Sequence, residues 1–155
     1  MTDDTADYVA ITRLQRTYGD VCVRRAWDEM AALCLPDGHF SYDLGAGSVI
    51  ELHGPEQLCA FGKQALETYD FYLYSLLNDV VDIRPGGSAS GRVYVREVGT
   101  DKASGRWAEY YGRYDDDYAY LDGAWRFAGR KYQALARRGD DADIQVFRAG
   151  HRTDI

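Results

Sequence analysis

Hydrophobic positions near the start of the chain recur at helical spacing. Between residues 7 and 22 they lie three or four positions apart, at Tyr8, Ile11, Leu14, Tyr18, Val21 and Cys22. This spacing predicts a first helix with one face turned inward. A second helical pattern covers residues 26–35, and the sequence Pro36-Asp37-Gly38 predicts its end. A third helix is predicted from Pro55 to about Thr68, with Phe61 on its inward face.

Alternating apolar and polar residues dominate the rest of the chain. Short strands are predicted at 39–43 and 49–52, and longer ones at 71–83, 90–98, 106–121 and 124–135. Glycine-rich turns separate the long strands, and Asp122-Gly123 is typical of a hairpin. Residues 1–136 therefore predict a single α+β domain in which an antiparallel meander curls around the helices. Residues 137–155 form a predicted polar C-terminal tail.

Composition narrows the class of protein. The 155 residues are 46% hydrophobic and 28% charged, which disfavours disorder. A net charge of −7 argues against binding to a nucleic-acid backbone. We see no apolar run long enough for a membrane helix and no secretory signal, so we expect a cytoplasmic protein that binds neither nucleic acid nor membrane. Three widely spaced cysteines suggest buried thiols rather than disulfides or a zinc site.

Tyrosine is the unusual component of this sequence. There are 13 tyrosines, and nine of them lie between Tyr69 and Tyr120. On the strand after Trp107, alternation places Asp116 on the same face as Tyr114 and Tyr118. If that face points inward, burial raises the pKa of the carboxyl toward neutrality and suits it to proton transfer. The alternative, a solvated acidic patch formed with Asp115 and Asp117, stays open.

Three stretches resemble one known family. They are TYGDVCVRRAWDEM (17–30), DGHFSYD (37–43) and LDGAWRFAGRK (121–131), and with the intervening strands the similarity covers residues 7–136. The chain resembles the SnoaL-like branch of the NTF2-like superfamily, which includes polyketide cyclases, scytalone dehydratase and bile-acid dehydratases. The resemblance implies a cone-shaped α+β barrel with a deep apolar pocket. It also implies dimerisation through the outer sheet face and no cofactor or metal.

The resemblance also assigns residue roles. Tyr42 matches the tyrosine that polarises the substrate carbonyl in dehydratases of this type. Tyr74 stands where they have a histidine, four residues before the matching Asn78. A second histidine position falls near Val93, and a Tyr-Asp pair used for water handling falls on residues 22–23. Because these replacements remove proton-transfer groups, the scytalone-type mechanism does not carry over whole.

We therefore predict a cofactor-free enzyme of secondary, polyketide-like metabolism that cyclises, dehydrates or isomerises a hydrophobic oxygenated metabolite. Its predicted catalytic residues are Tyr42 and Tyr74 as hydrogen-bond donors or general acids, and Asp116 as general acid or base. Predicted substrate contacts are Tyr18, Cys22, Phe61, Tyr72, Asn78, Val93, Tyr114 and Arg130, the last also a candidate ion-pair partner of Asp116. Packing or a dimer face is expected for Tyr110, Tyr118 and Tyr120.

Two alternatives stay open at this point. One is a non-catalytic carrier or accessory subunit on the same fold, which the missing histidines favour. The other is an epoxide-opening cyclase or hydrolase, which needs an Asp-Arg-Asp arrangement around Asp116 and either Arg130 or Arg113. A homodimer is also expected, with Arg92, Tyr94 and Arg96 alternating along one outward sheet face.

Overall fold

The structure is a computed structural model that describes residues 4–139 and 144–146. Two α-helices, α1 (Thr5–Arg24) and α2 (Gly54–Glu67), and a 3₁₀ helix (Trp27–Leu33) accompany a seven-stranded sheet within these residues. The strands are β1 (Cys34–Asp43), β2 (Val49–His53), β3 (Tyr69–Arg84), β4 (Ser88–Asp101), β5 (Trp107–Leu121), β6 (Ala124–Gly139) and β7 (Ile144–Val146). Neither α-helix is long and apolar enough to cross a membrane.

The sheet is mixed and open. Its strand order is β2-β1-β6-β5-β4-β3, and β7 pairs with β6. All neighbouring strands are antiparallel except β1 and β6, which run parallel. The predicted α+β architecture, with helices packed in a curved and mostly antiparallel sheet, is confirmed. Among the described residues the sheet does not close into a complete barrel, because β2 and β3, at the two ends of the strand order, do not pair with each other.

Helix α1 lies in the concave side of the sheet, as its periodicity predicts. Its buried apolar residues are Ile11, Leu14, Tyr18, Val21 and Cys22. The indole Nε1 of Trp125 donates a hydrogen bond to Asp7 at 2.8 Å, which fixes the start of the helix to β6. The helix ends where Arg25 adopts a left-handed conformation (φ 58°) and its N–H bonds to the carbonyl of Cys22. The buried Tyr18 of α1 contacts Tyr42 of β1, Tyr74 of β3 and Tyr114 of β5.

The helix predicted at 26–35 is wrong in type and extent. Residues Trp27–Leu33 form a 3₁₀ helix, and β1 begins directly at Cys34. Pro36 and Gly38 therefore lie inside a strand instead of ending a helix. The pairing of β1 with β6 shifts register between Cys34 and His39, and such an irregularity accommodates a proline that cannot donate a ladder hydrogen bond.

Strand β3 contains a bulge that reverses its faces. Leu76 pairs with Val95 of β4, but Asn78 pairs with Tyr94, so Leu77 is an extra residue in β3. One extra residue exchanges the inward and outward positions of everything that follows it. Tyr72 and Tyr74 therefore face inward as predicted, whereas Asn78 is exposed.

The predicted tail takes part in the sheet where it is described. Residues 137–139 complete β6, and β7 pairs with residues Ala136, Arg137 and Arg138. The rest of the predicted tail, residues 140–143 and 147–155, lies outside the described residues.

Candidate active site

A cavity opens inside the cone between the two helices and the sheet. It consists of an outer space of about 580 Å³ and a smaller inner space of about 80 Å³. Tyr42, Phe61, Tyr72, Glu97 and Tyr114 line both spaces, so the two adjoin. The volume of the outer space is in the range of about 300–1,000 Å³ that is typical of sites for small molecules.

The tyrosine excess of the sequence is concentrated on this cavity. Eight of the 13 tyrosines line one or both spaces: Tyr18, Tyr42, Tyr69, Tyr72, Tyr74, Tyr110, Tyr114 and Tyr132. Burial raises the pKa of the innermost phenols, Tyr18, Tyr42, Tyr74 and Tyr114, above the ordinary tyrosine value. These hydroxyls therefore stay protonated at neutral pH. They supply flat apolar walls and neutral hydrogen-bond donors.

Tyr42 lies where β1 meets α1 and α2. Its hydroxyl and that of Tyr18 are 3.0 Å apart and share a hydrogen bond. The Tyr42 ring also contacts the ring of Phe61 on α2, with 4.7 Å between centroids. Contacts from both helices thus hold this phenol at the junction of the two spaces. The resemblance to SnoaL-like dehydratases implies a carbonyl-polarising role for it.

Tyr74 projects from β3 toward α1 into the inner space. Gly19 on α1 makes this possible, because a Cβ at that position would collide with the Tyr74 ring. The Tyr74 hydroxyl is buried and has no hydrogen-bond partner in the described residues. A buried O–H without a partner is costly, so this group is suited to receive an oxygen of a bound molecule.

Glu97 of β4 places a carboxyl in the same cavity. The hydroxyl of Tyr72 donates a hydrogen bond to its Oε1 atom, and Tyr132 forms a further side-chain hydrogen bond with it. Burial raises the pKa of Glu97 above its ordinary value, and both phenol hydrogen bonds partly oppose that rise. Gly112 on β5 leaves room for the Tyr132 ring, which a Cβ there would displace.

Asp116 faces inward as the alternation predicts, but it is held in an ion pair. Its carboxylate accepts bonds from Arg130 Nε at 2.8 Å and Nη2 at 3.1 Å, and from the Tyr118 hydroxyl at 2.7 Å. The side chains of Asp116 and Arg130 have no solvent-exposed surface. Burial acts to lower the pKa of Arg130, but the Asp116 carboxylate together with Tyr74 and Tyr114 raises it well above its ordinary value.

Aromatic rings separate this ion pair from the cavity. The guanidinium carbon of Arg130 lies 3.9 Å from the ring centroid of Tyr114 and 4.3 Å from that of Tyr18. Gln15 Nε2 donates to the Tyr118 hydroxyl at 2.8 Å and closes the network from α1. Tyr118 is thus a packing residue, as predicted. Arg130 Nη1 is buried without a hydrogen-bond partner among the described residues.

The structure does not assemble the arrangement needed for epoxide opening. Arg130 contacts Asp116, but among the described residues no second aspartate bonds to this arginine. Arg113 pairs instead with Asp115, the more exposed neighbour of Asp116 on β5, at 2.8 Å.

The predicted site residues divide into two groups. Those that line the cavity are Tyr18, Cys22, Tyr42, Phe61, Tyr72, Tyr74 and Tyr114. Four others do not line it: Asn78, Val93, Asp116 and Arg130. Val93 is fully buried in the core, Asn78 is turned outward by the bulge in β3, and the last two form the ion pair.

Sequence reasoning missed Glu97 and Tyr132. The sequence contains a signal for Glu97, because it follows Val93 and Val95 at alternating positions of β4. Both valines are buried in the structure. Strand β4 pairs with β5 without a register shift, so the alternation continues to Glu97. For Tyr132, the signal is its position two residues after Arg130 on β6, on the same face.

Metal and thiol chemistry receive no support in the described residues. No three His, Cys, Asp or Glu side chains converge there in a manner that would hold a metal ion. His39 pairs with Glu51 across β1 and β2, with its Nε2 atom 2.7 Å from the carboxylate. Cys22 lines the inner space, but burial raises the pKa of its thiol to about 12, so it is neutral.

Comparison with known proteins agrees with this architecture. A model of the SnoaL-like domain matches residues 3–131. No curated protein matches the sequence. Among solved structures, a proposed scytalone dehydratase from Novosphingobium aromaticivorans is 20% identical with a TM-score of 0.80, and 94% of this chain aligns with 95% of that one.

Two other solved structures show the range of activities associated with the fold. A hexachlorocyclohexane dehydrochlorinase, LinA-type3 from Novosphingobium barchaimii, is 15% identical with a TM-score of 0.77, covering 88% of this chain and 92% of its own. A proposed aromatic ring hydroxylase from Novosphingobium aromaticivorans is 20% identical with a TM-score of 0.74, covering 96% and 98%. At these identities the similarity establishes only the fold, so the function has to be argued from the residues of the site.

Proposed function

Because the chain belongs to the SnoaL-like domain family, we propose that it is a cofactor-independent lyase or isomerase that acts on a hydrophobic, oxygenated metabolite. The observation that carries this proposal is the Tyr74 hydroxyl, which is buried beside the inner space without a partner. A neutral phenol there donates to a carbonyl oxygen and stabilises the negative charge that develops on it during enolisation. Cyclisation, dehydration and isomerisation next to a carbonyl can all proceed through an enolate, which carries negative charge on this oxygen.

The other residues around the cavity have separate roles in this proposal. Tyr42, bonded to Tyr18, is a second donor at the junction of the two spaces. Phe61 and Tyr114 provide apolar walls for a flat ring system. Asp116, which the sequence suggests as the acid or base, has the role of holding Arg130 against the rings of Tyr18 and Tyr114 in this proposal.

Conversion of a model substrate tests this function. The probe is a β-hydroxylated α-tetralone, whose dehydration gives α-naphthol and is followed by fluorescence and by mass spectrometry as loss of one water. The wild-type protein is expected to convert it, and Tyr74→Phe to lower kcat by about 100-fold or more. Tyr120→Phe is the matched control, because Tyr120 lies half exposed at the end of β5. Equal turnover by wild type and Tyr74→Phe would contradict the proposal.

A non-catalytic binding subunit is the competing function. It is favoured by the absence of histidine from the cavity lining in the described part of the chain. This function predicts that α-tetralone binds, detected by quenching of tyrosine and tryptophan fluorescence, while the hydroxylated probe is recovered unchanged. The same assay therefore separates the two functions.

We also propose that the protein is a cytoplasmic homodimer that associates through the outer face of the sheet. Exposed apolar residues on β3, including Leu73, Leu77 and Val80, support this assembly, because a monomer rarely exposes several of them together. The three cysteines are unpaired, in keeping with a reducing compartment. Sedimentation equilibrium of the wild type and Leu77→Glu tests the dimer, which the charged side chain is expected to dissociate.

A further inference from the structure

We propose that Glu97 is the proton-transferring residue of this cavity, with Tyr72 and Tyr132 as the residues that position its carboxyl. The inference rests on the proposed function. It adds a general base to a chain that has Tyr74 and Val93 at the two positions where the resemblance implies histidines. The site residues predicted from the sequence do not include Glu97.

The position of Glu97 is the first support. It lines both the outer and the inner space, and it is the single carboxyl among the described residues that do so. Its side chain is half-buried, and its accessible part faces the cavity instead of bulk solvent. Glu97 therefore lies at the junction between the outer space and the inner space that Tyr74 lines.

The partners of Glu97 are the second support. Tyr72 and Tyr132 are neutral donors, so they orient the carboxyl without fixing its charge. Arg130 favours the charged form of Glu97 but acts from a distance, since its own bonds go to Asp116. A carboxyl held in this way accepts a proton and returns it, whereas one bonded directly to a guanidinium is held in the charged form.

Chemistry at this position balances without an added reactant. Glu97 takes a proton from the carbon next to the substrate carbonyl, and the C–H electron pair becomes the C=C bond of an enolate. The carbonyl electron pair moves to its oxygen, where the Tyr74 hydroxyl donates a hydrogen bond. When the carbonyl re-forms, the β-hydroxyl leaves with the proton from Glu97 as water. For an isomerisation, the proton returns to a different carbon.

Chemical labelling tests the carboxyl independently of turnover. Dicyclohexylcarbodiimide is an apolar reagent that adds to protonated carboxyls in apolar sites and gives a stable N-acylurea, without a leaving group. We expect one adduct per chain, mapped to Glu97 by peptide mass spectrometry, with a labelling rate that falls as pH rises. Glu97→Gln is expected to lose this adduct, whereas Glu67→Gln, an exposed change on α2, keeps it. Labelling of Asp116 in place of Glu97 would overturn the inference.

Kinetics with the β-hydroxylated α-tetralone provide the second arm. Glu97→Gln keeps the size of the side chain and is expected to lower kcat by about 100- to 10,000-fold, while binding of α-tetralone changes little. Glu97→Asp, which retains an acid, is expected to recover part of the activity. Tyr72→Phe removes a hydrogen bond that favours the carboxylate, so the ascending limb of the kcat–pH profile is expected to move to higher pH.

The results of the two arms separate the two proposals. If the wild type converts the probe and Glu97→Gln does so within a few-fold, the role of Glu97 is overturned and the proposed function stands. If the wild type converts no probe, the proposed function fails, and so does catalysis by Glu97. In that case, labelling of Glu97 reports a protonated carboxyl in a binding cavity. Circular dichroism of each variant confirms that it is folded before either arm is interpreted.

Discussion

Two carboxyls enter the interior of this fold from neighbouring strands, and they differ in the charge of their partners and in their access to the cavity. Asp116 on β5 meets the guanidinium of Arg130 through two hydrogen bonds, and aromatic rings cover the pair. Glu97 on β4 meets phenol hydroxyls and borders an open cavity. The difference shows that an inward carboxyl is suited to proton transfer when its partners are neutral, and to stabilisation of the fold when its partner carries a permanent charge.

Removal of Arg130 is expected to have the largest effect on stability. Arg130→Met leaves the Asp116 carboxylate buried without its counter-charge, which costs about 3–5 kcal/mol of unfolding free energy. Urea unfolding monitored by tryptophan fluorescence measures the loss. Glu97→Gln serves as the comparison, because it removes no ion pair and is expected to cost much less. A loss below about 1 kcal/mol for Arg130→Met would mean that the pair does not support the fold.

The next largest effect is expected in the pH dependence of stability, to which Glu97 contributes. Since burial raises its pKa in the folded state, its contribution is full below the unfolded value of about 4.3 and is lost as pH rises through the folded pKa. Glu97→Gln lacks this titration. The unfolding free energy of the variant minus that of the wild type is therefore expected to increase as pH rises from the unfolded value through the folded pKa of Glu97. A difference independent of pH would show that the pKa of Glu97 is not raised by folding.

The phenols that bond to the two carboxyls provide a smaller contrast. Tyr118→Phe removes a buried donor to Asp116 and an acceptor for Gln15, so it is expected to cost about 1 kcal/mol of stability and leave the pH profile of activity in place. Tyr72→Phe is expected to move that profile, as described above. Chemical denaturation and kcat–pH profiles of both variants test the contrast, and a shifted profile for Tyr118→Phe would bring Asp116 back as a catalytic candidate.

The smallest expected effect concerns Asn78. The bulge at Leu77 turns its side chain outward, so Asn78→Ala is expected to change stability by less than about 0.5 kcal/mol and to leave turnover unchanged. Thermal unfolding and the probe assay measure both quantities. A large loss of activity would indicate that Asn78 reaches the substrate and that the site extends past the bulge.

These residues also show how far the sequence predicts the molecule. Alternation correctly predicts that Tyr114 and Asp116 face inward, because β4 and β5 pair without a register shift. It fails for Asn78, since a single inserted residue in β3 depends on the pairing with β4 and leaves no local signal. The prediction that Pro36 ends a helix also fails, because this proline lies in a strand whose pairing is irregular.

Chemical roles are harder to predict than faces. A glutamate followed by valine, glycine and threonine near the end of a strand is normally solvated, so this local context does not indicate the inward position of Glu97, although its alternation with Val93 and Val95 does. The tyrosine excess is visible in the composition. The sequence does not show that most of these phenols line a single cavity, because that depends on how α1 and the strands pack together.

The ionisation of the two carboxyls tests the central claim most directly. An NMR titration of protein labelled with ¹³C at the side-chain carboxyls, assigned with Glu97→Gln, follows both groups in one sample. We predict that Glu97 titrates above its ordinary pKa and at higher pH than Asp116, because burial raises the pKa of both carboxyls but the hydrogen bonds from Arg130 oppose the rise at Asp116. A Glu97 carboxyl that titrates at or below about 4.3, or an Asp116 that titrates above Glu97, would contradict the claim.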